Sequence, residues 1–278
     1  MSTSAAAFRL PGQPDETGFG SMTEADLSFA AQEPQTPGSF GATAQVQTLY
    51  LKEAGDTTLI SVNDLHQGQI GDCFLISSMG ELALSHSASL TNMIKVNSDG
   101  SETVTLYTAA NGALPTYGTT AFKAVSVKVS NVFPTYAVNN GATQDVVGNQ
   151  KEVWAQVVEK AIATLEGGYG GIAYGGNPMI AMEMLTGKSA SYYPPPTVTA
   201  SMLTANVAAG NLIVFDTANS NSLAYNLIGN HAYMFEKLTT VNGQAMVQLG
   251  NPWGCAQPAL IPVSQLSKSF VEIDVGHA

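Results

Sequence analysis

Residues 66–79 read His66-Gln67-Gly68-Gln69-Ile70-Gly71-Asp72-Cys73-Phe74-Leu75-Ile76-Ser77-Ser78-Met79. A glycine-rich loop gives way at Cys73 to an apolar run, Phe74 to Leu84, with helical spacing. Asp72 stands at the N-cap position, so Cys73 falls in the first turn of the helix. The positive end of a helix dipole lowers a thiol pKa, and the thiolate is the nucleophilic form. Cys73 is therefore a candidate nucleophile, although most free cysteines are buried and inert.

A nucleophilic cysteine needs a base. The chain has four histidines. His277 stands next to the terminus and reads as frayed. His86 lies in a Ser/Ala-rich stretch and reads as surface. His66 precedes the glycine loop and is placed to line a cleft. His231 follows Gly229-Asn230, a tight turn, and starts the strand His231 to Thr239. Alone it would read as a satisfied core histidine. Asn242-Gly243 is the strongest short hairpin signal. It folds Ala245 to Gly250 back, bringing Gly250-Asn251-Pro252-Trp253-Gly254 near His231. Asn251 then accepts from one imidazole nitrogen and leaves the other for Cys73, with Trp253 as a shield; its other reading is a turn residue before Pro252. Gln67 on the loop before the helix is a candidate oxyanion donor, with Gln69 as its competitor.

Composition narrows the function classes. Hydrophobic residues make up 45% of the 278, enough for a sizeable core, and charged residues only 11%. The net charge is −11, and Arg9 is the sole arginine. A basic footprint is missing, which speaks against nucleic acid as a partner, and anionic membranes would repel the chain. No apolar stretch approaches the ~18 residues of a membrane span. Met1 to Pro11 lacks the apolar core of a secretory signal, so the expected location is cytoplasmic, or outside by export without such a peptide. Cys73 and Cys255 are too few for a disulfide framework and read as free thiols.

Residues 1–44 are rich in Ser, Ala, Pro, Gly and Gln and read as a flexible N-terminal tail or pro-segment. Gln47 to Val62 contains a short strand or a turn. Thr103 to Tyr107 and Ala124 to Val129 alternate as strands. Glu152 to Leu165 reads as an amphipathic helix with Val153, Val157, Ala161 and Leu165 on one side, and Pro178 to Thr186 as another. Pro194-Pro195-Pro196 marks a break. Strands follow at Leu212 to Asp216, His231 to Thr239, Ala245 to Gly250 and Phe270 to Val275. The order, helices first and strands last, predicts an α+β class with two lobes: a helical lobe over about 45–195 and an antiparallel β lobe over about 196–278.

These motifs resemble the catalytic core of the calpain family. Gln67 to Leu75 is similar to its cysteine motif, with Phe74 where tryptophan is usual. Trp154 to Leu165, Tyr174-Gly175-Gly176 and Glu183-Met184-Leu185-Thr186-Gly187 follow its helical-lobe pattern in order. Asn230-His231-Ala232-Tyr233 and Gly250 to Gly254 resemble its histidine and asparagine motifs. The resemblance runs from about residue 45 to about 258. It implies a papain-like fold and an endopeptidase acting on protein or peptide substrates through a thioester. Cys73, His231 and Asn251 would be catalytic and Gln67 the oxyanion donor. It also raises calcium, with Asp64 as the candidate ligand. Gly170-Gly171 stand where an acidic residue is expected near Tyr169, and no EF-hand loop is present. The chemistry itself requires no cofactor. Two other readings use the same scaffold: an amidase or acyl transferase that cuts no chain, and a binding protein on a retired peptidase scaffold. Oligomeric state is not legible.

Overall fold

The computed structural model describes residues 46–52, 58–134, 136–139 and 146–278. The expected tail at 1–44 lies outside them. The first half of the fold runs β1 (Val46–Thr48), a 3-10 turn at Val62–Asp64, α1 (Cys73–Met93), β2 (Ile94–Val96), β3 (Glu102–Ala109), β4 (Phe122–Val129), β5 (Val146–Val147) and β6 (Gln150–Glu152). Then come α2 (Trp154–Leu165), α3 (Tyr169–Ile172), α4 (Pro178–Thr186), β7 (Ala190–Tyr193), α5 (Ala200–Ala208) and β8 (Leu212–Thr217). The last strands are β9 (Ala232–Val241), β10 (Gln244–Gly250), β11 (Ile261–Pro262) and β12 (Phe270–Gly276). This is the expected mixture of helices with antiparallel sheet, and it is consistent with a papain-like fold.

Two apolar cores form. One gathers α1, α2, α4 and the small sheet β2-β3-β4, and takes in Leu212, Val214 and Ala232 from the far side. The other lies on the opposite face of the six-stranded sheet β11-β10-β9-β8-β12-β7, around Phe215, Tyr233, Phe235, Val247 and Ile273. Alternation along β8 and β9 thus sends odd and even residues to different cores. The chain enters this sheet earlier than the triple proline suggests: β7 already pairs with β12, Tyr193 opposite Ile273. α2 departs from the amphipathic expectation. Every residue from Trp154 to Ala163 is buried, because the helix is surrounded rather than laid on a surface. Its charges are accommodated by the backbone. The Lys160 ammonium donates to the carbonyls of Ser130 and Val132, and Glu159 accepts from the Val138 N–H.

α1 is longer than its apolar run. It kinks at His86 (φ −142°, ψ 44°), whose Nε2 lies 2.6 Å from the Gly210 carbonyl. His86 therefore ties α1 to the end of α5 and is not a free surface group. His277 is also tied down, through its N–H to Ser189 and its ring to Asn211. Asn242 and Gly243 both take positive φ, as a tight β9–β10 hairpin requires. Among the described residues no helix is long and apolar enough to cross a membrane.

The helix and the sheet are locked by Glu81, the single charge in the run from Cys73 to Leu84. β8 and β9 pair only from Val214 to Asp216, then splay. Glu81 enters the split: its two carboxyl oxygens accept from Ile213 N (2.8 Å) and Phe235 N (2.6 Å). Burial raises the Glu81 carboxyl well above its ordinary range, while the two backbone donors pull it down. Glu81→Ala strands two buried N–H groups, each costing about 1–3 kcal/mol. Urea denaturation should show a loss of roughly 2–6 kcal/mol; a loss below 1 kcal/mol would mean the strands re-pair without it.

Candidate active site

The loop before α1 is held in place by its backbone. Gln67 N donates to the Pro252 carbonyl at 2.8 Å, joining it to the Asn251 turn, and Gln69 N donates to Tyr136 at 2.9 Å. Gly68 admits no side chain, since a Cβ there would meet the Tyr136 and Ala137 carbonyls. Asp72 is the N-cap residue by position, yet its side chain makes no cap hydrogen bond. Cys73 opens the helix, half-buried, with its sulfur toward the N–H groups of Phe74 and of Ala232, the residue after His231. Ser77, one turn on, donates from Oγ to the Ala232 carbonyl at 3.0 Å. The nucleophile candidate thus rests against the strand that begins at the histidine.

His231 is fixed from several sides. Asn230 takes φ 54°, the left-handed turn that releases the chain into β9. Thr217, at the end of β8, accepts from His231 N at 2.9 Å through Oγ1 and donates from its own N–H to the His231 carbonyl at 3.0 Å. The ring packs between Tyr233 and Trp253, each with its ring centre 4.9 Å away. His231 Nε2 lies 3.0 Å from Asn251 Oδ1. That oxygen is identified by its second contact: Trp253 N donates to it at 3.1 Å, while Asn251 Nδ2 donates to Ala256 at 3.3 Å. An oxygen facing Nε2 places the ring proton on Nε2 and leaves the Nδ1 lone pair free to take a proton.

A register shift makes this alignment. β9 and β10 slip by one residue between Gln248 and Leu249, so that Gly250 faces Met234. Continuing that register sets Asn251 opposite Tyr233, on the same side of the strand as His231. Without the bulge Asn251 would point to the other face.

The electrostatics differ from the expectation of a lowered thiol. Burial pushes Cys73 up to about 12, with Asp216 and Asp72 adding to the rise and the N–H groups of Ala232 and Phe74 opposing it. Burial likewise pushes His231 down to about 4, with Asn251 opposing. Taken singly, each group is favoured in its neutral form by burial. The helix start is present, but desolvation outweighs its field.

The other predicted residues are placed as follows. Gln67 lies on the loop, half-buried, and its Nε2 donates to the Ile70 carbonyl at 2.8 Å. Asp64 is engaged by the scaffold through one of its oxygens. It is buried, and one oxygen, Oδ2, accepts both the Ser61 N–H at 2.6 Å and the Trp154 indole N–H at 3.1 Å. Asp64 closes a capping box on the 3-10 turn and belongs to the scaffold. Cys255 is an exposed free thiol. Sequence reasoning missed Thr217, Ser77 and Glu81. Glu81 carried a signal, a lone charge inside an apolar helix; Thr217 and Ser77 carried none.

A sequence description of the calpain family of cysteine proteases matches residues 51–259. Over 206 residues the chain is 28% identical to Calpain-8 of Homo sapiens, covering 69% of this chain and 28% of that protein. Calpain-B of Drosophila melanogaster is 29% identical over 209 residues, 69% of this chain and 21% of that protein. The human Calpain-2 catalytic subunit is 26% identical over 205 residues, with 69% and 28% covered. The chain thus spans about a quarter of the length of the curated relatives it matches.

Beneath Cys73, Asp72 faces the Glu159 carboxyl and the Gln67 amide in full burial. Two carboxyls in contact with no cation between them hold at least one proton. Burial raises both, Asp72 to about 7. A carboxyl raised on folding stabilises the fold fully below its unfolded value, near 3.8, and that contribution is lost as pH rises through about 7. Glu159→Gln keeps an acceptor for Val138 and gives Asp72 a donor. Its thermal midpoint should exceed the wild-type value at pH 8, with the gap closing toward pH 4. A gap independent of pH would refute the shared proton.

Proposed function

The chain belongs to the calpain family of cysteine proteases, and on that premise we propose that it is an endopeptidase with Cys73 as nucleophile, His231 as base and Asn251 as the group that holds the imidazole. One observation carries the reading: Asn251 Oδ1, oriented by the Trp253 N–H, lies against Nε2, which favours the ring proton there and leaves Nδ1 as the basic nitrogen. An imidazole in that tautomer is a base ready to act.

The reaction runs from the neutral pair. As Cys73 Sγ bonds to the peptide carbonyl carbon, its proton passes to His231 Nδ1. The imidazolium so formed is held by Asn251 Oδ1. The carbonyl oxygen becomes an oxyanion, to which the Cys73 N–H and the Gln67 amide donate. The first N–H groups of a helix have no partner within it, and the Gln67 amide, which donates to Ile70 and faces Asp72, turns one N–H from these to the oxyanion. Nδ1–H then protonates the leaving nitrogen, the C–N bond breaks, and a thioester remains. Water gives a proton to Nδ1, attacks the thioester, and restores the thiol. Residues 45–278 form the catalytic core in this reading, with 1–44 as a tail or pro-segment. Protein is the substrate class.

Cys73→Ala should abolish cleavage of an unfolded protein substrate, and His231→Ala should lower kcat about 10²–10⁴-fold. Gln67→Ala should lower kcat by about 10²–10³-fold. Ammonia release without chain cleavage would replace the endopeptidase with an amidase. Iodoacetamide labelling of Cys73 provides a second test. With the thiol at about 12, the thiolate is a minority form, so the rate should climb about tenfold per pH unit from pH 6 to 9. A plateau already reached at pH 6 would mean a preformed thiolate–imidazolium pair.

A further inference from the structure

Asp216, Glu272 and Asp274 bring one carboxylate oxygen each to within 4.8 Å of one another. They stand on β8 and β12, where Glu272 is directly opposite Asp216 and Asp274 opposite Val214. Like charges directly across a strand pair oppose each other, so the sheet itself gains nothing from this arrangement. Asp274 is fully buried, and among the described residues its oxygens meet no N–H or hydroxyl donor, only the carboxyl of Asp216. A buried carboxyl without such a donor is costly and calls for an explanation. Asp216 and Glu272 are half-exposed, so the group opens to solvent above a buried floor. Burial raises all three, and repulsion from the neighbouring carboxyls adds to the rise of Asp216, to about 7, and of Asp274, to about 10.

Its position links it to the nucleophile. All three residues lie on the sheet face turned toward α1 and α4. Asp216 pairs with Ala232, whose N–H reaches the Cys73 sulfur, and its charge acts on that thiol. Asn177, the N-cap of α4, donates to Glu272 at 3.3 Å. The segment just before it, Tyr174 to Gly176, is exposed and bridges to Gly71 beside Cys73. Tyr174 to Asn177 thus joins the loop beside Cys73 to the acidic group.

We infer that Asp216, Glu272 and Asp274 form a specificity subsite that takes a basic side chain, arginine or lysine, of the peptide being cleaved. This rests on the peptidase reading. A guanidinium or ammonium offers several N–H donors to a group in which, among the described residues, only Glu272 receives one, from Asn177, and its long apolar stem suits a site with a buried floor. A divalent metal is the rival occupant. Calcium takes six to eight oxygens, and here the neighbouring Asn177 presents its N–H rather than its oxygen.

The test separates this inference from the catalytic reading by measuring binding as well as cleavage. In the full-length Cys73→Ala protein, fluorescence anisotropy compares labelled peptides carrying arginine with the same peptides carrying citrulline, and lysine with norleucine. The charged peptides should bind on the order of tenfold more tightly or better, and Asp216→Asn and Asp274→Asn should each erase most of the difference. In the wild type, the cleavage sites in an unfolded protein should show Arg or Lys enriched at one fixed position. Equal binding of arginine and citrulline peptides, or a preference that survives both substitutions, would overturn the subsite. So would calcium binding that is lost in Asp274→Asn while no peptide preference exists. Charge-dependent binding without any cleavage would instead sink the peptidase reading and leave the subsite standing.

Discussion

The structure depends on one carboxyl group inserted between two strands. Glu81 takes the N–H groups of Ile213 and Phe235 where β8 and β9 part. It stands eight residues along α1 from Cys73, about 12 Å of helix. Phe235 stands four residues along the chain from His231, about 13 Å of strand. Helix and strand therefore run side by side, clamped at one end by Glu81 and meeting at the other where Cys73 rests against Ala232. Ser77 bonds the same strand between these ends. Cys73 packs against one core and the neighbours of His231, Tyr233 and Trp253, against the other, and this clamp keeps the two in register.

The site so assembled is dry, and acids outnumber bases around it. Asp72 and Glu159 lie beneath the cysteine, and Asp216, Glu272 and Asp274 to one side. Each carboxyl that ionises makes a thiolate harder to form. Burial likewise disfavours the positive imidazolium, with Asn251 opposing. The arrangement therefore favours the uncharged form of both Cys73 and His231.

Local segments were legible wherever the pattern carried its own punctuation. Pro178 to Thr186 stands between an Asn177 N-cap and a left-handed Gly187, and the helix spans those residues. The Asn242-Gly243 turn and the strands on either side are equally plain. What escaped were elements with no periodicity of their own. β5, β6 and β7 are two to four residues long and exist because a neighbour pairs with them. The surrounded character of α2 escaped as well, because its Lys160 and Glu159 look like surface residues until Ser130, Val132 and Val138 close over them.

By itself the sequence determined the order of the motifs, the class of the fold, and which cysteine, histidine and asparagine stand in motif positions. Those properties follow from short-range patterns of apolar spacing, turn residues and caps. Tertiary structure alone decided the rest. The one-residue bulge at Gln248 sets Asn251 on the side of His231. Asp64 became a capping residue because Trp154 folded onto it. The thiol, expected to be lowered by its helix, is raised because segments 140 residues or more apart bury it and bring Asp216 alongside. A pKa and a side chain's aim depend on what surrounds a group in space, and that is known only once distant stretches of chain have packed together.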